Sequence, residues 1–117
     1  MPHFVLAGYL PKDFDPSTVD ETVIEGIHAL NREMDAAGIT RFSGGLGASH
    51  TVRRQTDGEV IVTDGPYLEA KEFIGGMMII EVASLEEALD WARKSAKTTH
   101  MPSEVREIFF VPDASQA

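Results

Sequence analysis

Asp64, Glu69, Lys71 and Glu72 crowd into one stretch, VTDGPYLEAKEFIGG, residues 62–76. A carboxylate at a strand end can orient an imidazole or take a proton. A lysine presents a compact point charge that suits an anionic or carbonyl group. Each residue also has a plainer reading. Asp64 stands before Gly65-Pro66, where an aspartate side chain caps a turn and proline fixes φ. Glu69, Lys71 and Glu72 read equally as solvated charges on a short helical turn. However, Phe73 and Ile74 follow at once, and Gly75-Gly76 tie the segment to an apolar run. Charges held that close to apolar structure are more constrained than ordinary surface charges. Asp64 is therefore the catalytic candidate, and Lys71 and Glu72 are binding candidates.

Four histidines are available as partners: His3, His28, His50 and His100. None pairs with another at helical metal-ligand spacing, and His-Glu-x-x-His is absent, so no metal site is expected. His28 lies beside Ile24 and Ile27, at the border of an apolar helical stripe. Such a histidine is commonly a half-buried structural residue, but this one also suits a pocket at the sheet's edge. It is the expected catalytic partner of Asp64. His50, which follows a glycine-rich stretch, is the reserve and a binding candidate. No serine lies in a Gly-x-Ser-x-Gly elbow. The glycines at 44, 45, 47, 75 and 76 form neither a phosphate loop nor a dinucleotide fingerprint. No cofactor is expected, and the chemistry such groups support unaided is proton transfer or elimination on a small organic molecule.

The elements that must position these residues are legible from periodicity. Residues 3–10 form a short apolar run that ends at Pro11 and reads as a strand. A helix is predicted from about residue 19 to residue 37, with Val23, Ile24, Ile27, Leu30, Met34 and Ala37 on one stripe. Thr18 and Glu21 are spaced as its capping box, and Gly38 as its left-handed stop. Residues 39–47 start as a strand and loosen into glycines. Thr56-Asp57-Gly58 between extended segments predicts a hairpin with positive φ at both turn positions. MMIIEVA, residues 77–83, lacks alternation and reads as a strand covered on both faces. Ser84 caps a second helix with Glu87 as its partner, and Leu85, Ala88, Leu89, Ala92 and Ala96 face inward. Residues 104–111 are the last strand, and 112–117 a frayed tail.

The order is β-α-β, a hairpin, then β-α-β, in one domain over residues 1–117. Two helices cover only one face of such a sheet. The strand that reads as covered on both faces then calls for a second copy, so a homodimer packed sheet to sheet is expected. Composition sets the setting. The 117 residues are 43% hydrophobic, which fits a folded globule. The chain has no cysteine, hence no disulfide, thiolate site or cysteine nucleophile. A formal charge of −9 repels nucleic-acid phosphates and anionic lipid, so neither partner is expected. The N-terminus lacks a signal-peptide pattern, and no apolar run nears the roughly 20 residues of a membrane span. A cytoplasmic protein is the expectation.

The stretch VTDGPYLEAKEFIGGMMIIEVASLEEALDWA resembles the signature of the YCII-related family, in its DGPF branch. That branch reads Val-x-Asp-Gly-Pro-Phe-x-Glu-x-Lys-Glu, a Gly-Gly-aromatic strand, then Ser/Asp-Leu-Glu-Glu-Ala-x-x-Trp-Ala. The resemblance implies a ferredoxin-like α+β fold, with two helices on one sheet face and an inserted hairpin, dimeric through the sheets as a dimeric α-β barrel. It implies acid/base work by a histidine–aspartate pair in a cleft. A distant kind of member is a dehydrochlorinase of chloroaromatics, and some members occur with extracytoplasmic-function sigma factors. Two functions follow as expectations: a small-molecule-binding protein with acid/base chemistry near residues 64–76, or a non-catalytic dimeric binding or regulatory module linked to sigma-factor regulation. This chain departs from the pattern. Tyr67 replaces the usual Phe and adds a hydroxyl that needs a partner, which makes it a binding candidate. Met77 and Met78 stand where an aromatic is common. The family's helix-one histidine aligns with Ile27, so His28 does not inherit the role by position.

Overall fold

A computed structural model describes residues 1–109. The chain runs β1 (His3–Pro11), a 3-10 turn (Pro16–Thr18), α1 (Glu21–Ala36), β2 (Thr40–Gly45), β3 (His50–Arg54), β4 (Val60–Asp64), β5 (Glu72–Glu81), α2 (Leu85–Thr99) and β6 (Ser103–Ile108). Four strands form a sheet in the order β2-β5-β1-β6, every neighbour antiparallel. β3 and β4 pair with each other in a separate two-stranded hairpin. The fold is α+β, with two helices and an open antiparallel sheet. Residues 110 and 111 of the predicted last strand, and the predicted tail, lie outside the described residues.

Local chemistry sets the helix ends, with one correction. Asp15 accepts from Ser17 N at 2.9 Å and winds Pro16–Thr18 into the 3-10 turn. Thr18 Oγ1 donates to Asp15 O at 2.7 Å and is thereby drawn away from α1. Asp20, not Thr18, is the N-cap, accepting from Thr22 N at 2.8 Å. That hydrogen bond from the Thr22 amide holds the Asp20 carboxyl below its ordinary pKa. Gly38 ends the helix at φ +71°, as expected. α2 keeps its predicted cap: Ser84 Oγ accepts from Glu87 N at 3.2 Å, and Glu87 reaches back to Ala83 N at 3.2 Å. It closes on His100 at φ 62°, a left-handed position that histidine fills without a glycine's freedom.

The hairpin is correctly placed, but its turn is of another kind. Only Gly58 has positive φ, 91°, while Gly58 N donates to Gln55 O at 2.9 Å. A type I turn followed by one left-handed residue meets the strand twist in three residues, so Asp57 stays in ordinary backbone space.

The core forms between the helices and one sheet face. Phe4, Leu6, Ile80 and Val82 meet Leu30, Met34, Ala88 and Ala92, with Met78, Trp91 and Val105 at the margin. The inward stripes are shorter than periodicity implied. Ile24 is 42% exposed, and Leu85, the first residue of α2, is 51% exposed. β5 is buried on the helix side only. Met77 and Ile79, of opposite parity, remain half-buried beside Val5 and the half-exposed Phe42. Within one chain nothing described covers that second face.

Candidate functional site

A cleft of about 780 Å³ opens where three loop segments meet at one end of the sheet. The end of β1 supplies Tyr9, and Lys12 follows it. The connection from β2 to β3 supplies residues 46–49, and the connection from β4 into β5 supplies Pro66 and residues 68–74, except Lys71. Its walls are apolar at Leu46, Leu68, Phe73 and Ile74, and charged at Lys12, Glu69 and Glu72. Backbone hydrogen bonds stitch the segments together. Lys12 N donates to Lys71 O at 2.8 Å, Leu46 N to Gly75 O at 3.0 Å, and Gly65 N to Ser49 O at 2.9 Å. Thr51 Oγ1 closes the last corner by donating to Gly65 O at 2.7 Å. Across the opening Lys12 Nζ donates to Glu69 Oε2 at 3.1 Å.

The hairpin carries the most chemically suggestive pair to this rim. The β3–β4 register sets His50 opposite Asp64, with Nδ1 3.2 Å from Oδ1. Ser49, next to His50, lines the cleft, and so does Pro66, two residues beyond Asp64. Residues facing each other across two antiparallel strands are fixed by the turn, so Gly58 determines which histidine Asp64 meets. With its proton on Nδ1, His50 donates to the carboxylate and turns Nε2 outward as a base. The pair stands in solvent: the side chains are 62% and 98% exposed.

The structure sets Asp64 beside His50 and does not bring it together with His28, its expected partner. His28 is exposed on α1, an element that contributes no residue to this cleft. Its border position rotates outward, because α1 buries only Leu30 and Met34. Of the predicted binding residues, Glu72 lines the cleft. It does so from the first position of β5, not from a helical turn. Lys71 lends its backbone carbonyl to Lys12, while its side chain is outside the lining. Tyr67 is 68% exposed and also outside it.

Sequence reasoning missed Tyr9, Lys12 and the 46–49 connection. Tyr9 carried a usable signal, a polar tip at the end of an apolar strand. Its hydroxyl donates to Glu104 Oε1 at 3.3 Å. Partial burial first, and then the Glu104 carboxylate, raise its pKa, so at neutral pH it is a firm hydrogen-bond donor. Among the described residues no three His, Asp or Glu side chains converge as metal ligands. No described helix is long and apolar enough to cross a membrane.

Fold and rim together define a small α+β protein with a loop-built cleft and a carboxylate–imidazole pair beside it. The chain belongs to the YCII-related domain family, whose model matches residues 1–110. It is 40% identical over 78 residues to an uncharacterised protein of Rhizobium meliloti (strain 1021). That match covers 63% of this chain and 61% of the relative.

Proposed function

We propose that this chain is a homodimeric small-molecule-binding protein in which His50 and Asp64 transfer a proton at the mouth of the loop cleft. The observation that carries the reading is the 3.2 Å contact between His50 Nδ1 and Asp64, set by the hairpin register one residue from Ser49 and two from Pro66 of the cleft lining. Asp64 orients the ring and supports the imidazolium that forms. Nε2 takes a proton from an acidic C–H of the ligand. The electron pair left on carbon either recaptures a proton or expels a leaving group from the neighbouring atom, which is an elimination. The strand order β2-β5-β1-β6 supports a ferredoxin-like reading of the fold.

Incorporation of solvent deuterium into small ketones, followed by NMR, tests the pair. His50→Ala is expected to lower the rate by about 10²–10⁴-fold. Asp64→Asn should lower it less, and His28→Ala should leave it unchanged. Wild-type turnover that survives His50→Ala would sink the proton-transfer reading.

The second copy in this reading rests on the open sheet face and the hairpin arm. Val5, Ala7, Met77, Ile79 and Phe42 share one side of the sheet, as register and parity set them. Val52, Val60 and Val62 are 63%, 58% and 67% exposed on an arm of two strands, which is marginal in water on its own. Another copy of the same chain covers both without a new partner. Sedimentation equilibrium is expected to give a dimer, and Ile79→Lys a monomer. A wild type that stays monomeric at millimolar concentration rules the interface out.

The 98% exposure of the Asp64 side chain favours a second reading, a non-catalytic dimeric binding or regulatory module. It is distinguished by a dimer that binds partners or ligands while His50→Ala changes no turnover.

A further inference from the structure

A second cavity, of about 390 Å³, lies between the four-stranded sheet and the two helices, and it shares no lining residue with the loop cleft. Its origin is written in the strand register. Gly45 pairs with Gly76, Gly76 with Gly8, and Gly8 with Ser103, so one row across all four strands carries three glycines and a serine. Cross-strand partners point to the same face. Gly8 follows Leu6 by two positions and Gly76 precedes Met78 by two, and both of those side chains pack toward the helices. The row therefore deletes one layer of core side chains directly under α1 and α2.

The roof is correspondingly unfilled. α1 contributes Ile27, Leu30 and Asn31, and the inward side of α2 changes from Ala88 and Ala92 to Ser95 and Thr99 where it overhangs the row. Interiors ordinarily pack without such spaces, and a lined space of this size falls within the range of small-molecule pockets. None of the described residues lining it is charged, in a chain with a formal charge of −9. Leu6, Leu10, Leu30, Met78 and Met101 make it mainly apolar. Thr99 Oγ1 is engaged, donating to Ser95 O at 2.9 Å and accepting from Met101 N at 3.1 Å. The Asn31 amide and the hydroxyls of Ser43, Ser95 and Ser103 are the side-chain polar groups left to meet a ligand.

We propose that this glycine-floored cavity is a second binding site, which takes an uncharged, mainly apolar small molecule bearing one hydroxyl- or amide-sized polar group. The absence of any lining charge selects the class, because an ionised group there would lose its hydration with no counter-charge in return. The site does not depend on the His50–Asp64 pair.

The test uses benzyl alcohol as the probe and benzoate, of similar size but ionised, as its counterpart. Chemical shifts of the Met78 and Met101 methyl groups are followed in the full chain. Benzyl alcohol is expected to give saturable shifts, with nuclear Overhauser contacts to the Met101 methyl, and benzoate to bind at least about tenfold more weakly. Gly8→Val fills the floor and should abolish the shifts. A Cβ at Gly8 meets Met101 Cε at 3.7 Å and Gly76 O at 4.0 Å, ordinary contact distances, so Gly8→Ala provides a folded variant with weakened binding should the valine not fold. Asp64→Asn should leave benzyl alcohol binding unchanged, which separates this result from the proton-transfer test. The proposal is overturned by non-saturable shifts, by equal binding of benzoate, or by binding undiminished in both Gly8 variants.

Discussion

The two hollows of this protein are built by opposite means. The loop cleft is made by addition: three connections converge, and backbone hydrogen bonds from Lys12, Leu46 and Gly65 hold them together. The cavity under the helices is made by subtraction, because Gly8, Gly45 and Gly76 fall in one row and remove the side chains a core would place there. The first keeps charge at its rim, with Lys12, Glu69 and Glu72 in its lining and His50–Asp64 beside it. The second has no charged lining residue among those described. Loops can expose charged groups to water cheaply, whereas a sheet–helix interior cannot hold an unpaired charge. Where a charge sits therefore separates the ligands the two hollows suit. β5 serves both, with Phe73 and Ile74 on the cleft and Gly75 and Gly76 on the cavity.

The comparison breaks most sharply at His50. His50→Ala is expected to remove deuterium exchange at the cleft while benzyl alcohol still binds the cavity, and Gly8→Val is expected to do the reverse. A variant that lost both functions by the same factor would mean that the hollows are one site. A smaller effect comes from Gly75, at the seam between them. A Cβ there runs into the Leu10 side chain, itself part of the cavity wall. Gly75→Ala should therefore lower stability by about 1–3 kcal/mol in urea unfolding, as overpacking does. It should also weaken benzyl alcohol binding more than exchange at the cleft. Unchanged stability would show that Leu10 moves aside freely.

The smallest effect lies away from both hollows, at the edge of the open sheet face. Glu81 accepts from Arg41 Nε at 3.2 Å and stands 3.2 Å from His3 Nε2 and 3.9 Å from the terminal amine. The Arg41 hydrogen bond, and then the charges of Arg41, His3 and the N-terminus, hold its carboxyl below the ordinary range against partial desolvation. A carboxyl whose folded pKa is depressed stabilises the protein above its unfolded pKa, near 4.3, and loses that contribution as pH falls through the lower folded value. Urea midpoints at pH 6 and pH 3 should therefore converge partly in Glu81→Gln relative to wild type. An identical acid loss in both proteins would remove Glu81 from the account.

Much of this was legible from residues alone. Both helices, the hairpin and all four sheet strands follow from apolar period and turn chemistry, because those signals act over a few residues. The misplacements have equally local causes. Thr18 lost the cap to Asp20 because Asp15 recruited it first, and Asp57 kept an ordinary φ because Gly58 alone supplied the left-handed residue. Residues 64–76 were legible as the place to look, since charges and glycines there border an apolar strand.

What the sequence determined by itself is the inventory: the family signature, the α+β class, the charged 64–76 corner and the surplus of glycines. Only the tertiary structure decided the partners. Asp64 meets His50 and not His28 because strand register is set by a turn several residues away, while a helix border position can rotate outward without breaking its stripe. Gly8, Gly45 and Gly76 form one row only after β2, β5 and β1 align, and no spacing along the chain encodes that meeting. Local backbone preference can be read in order; contacts between distant segments arise from the packing that brings them side by side.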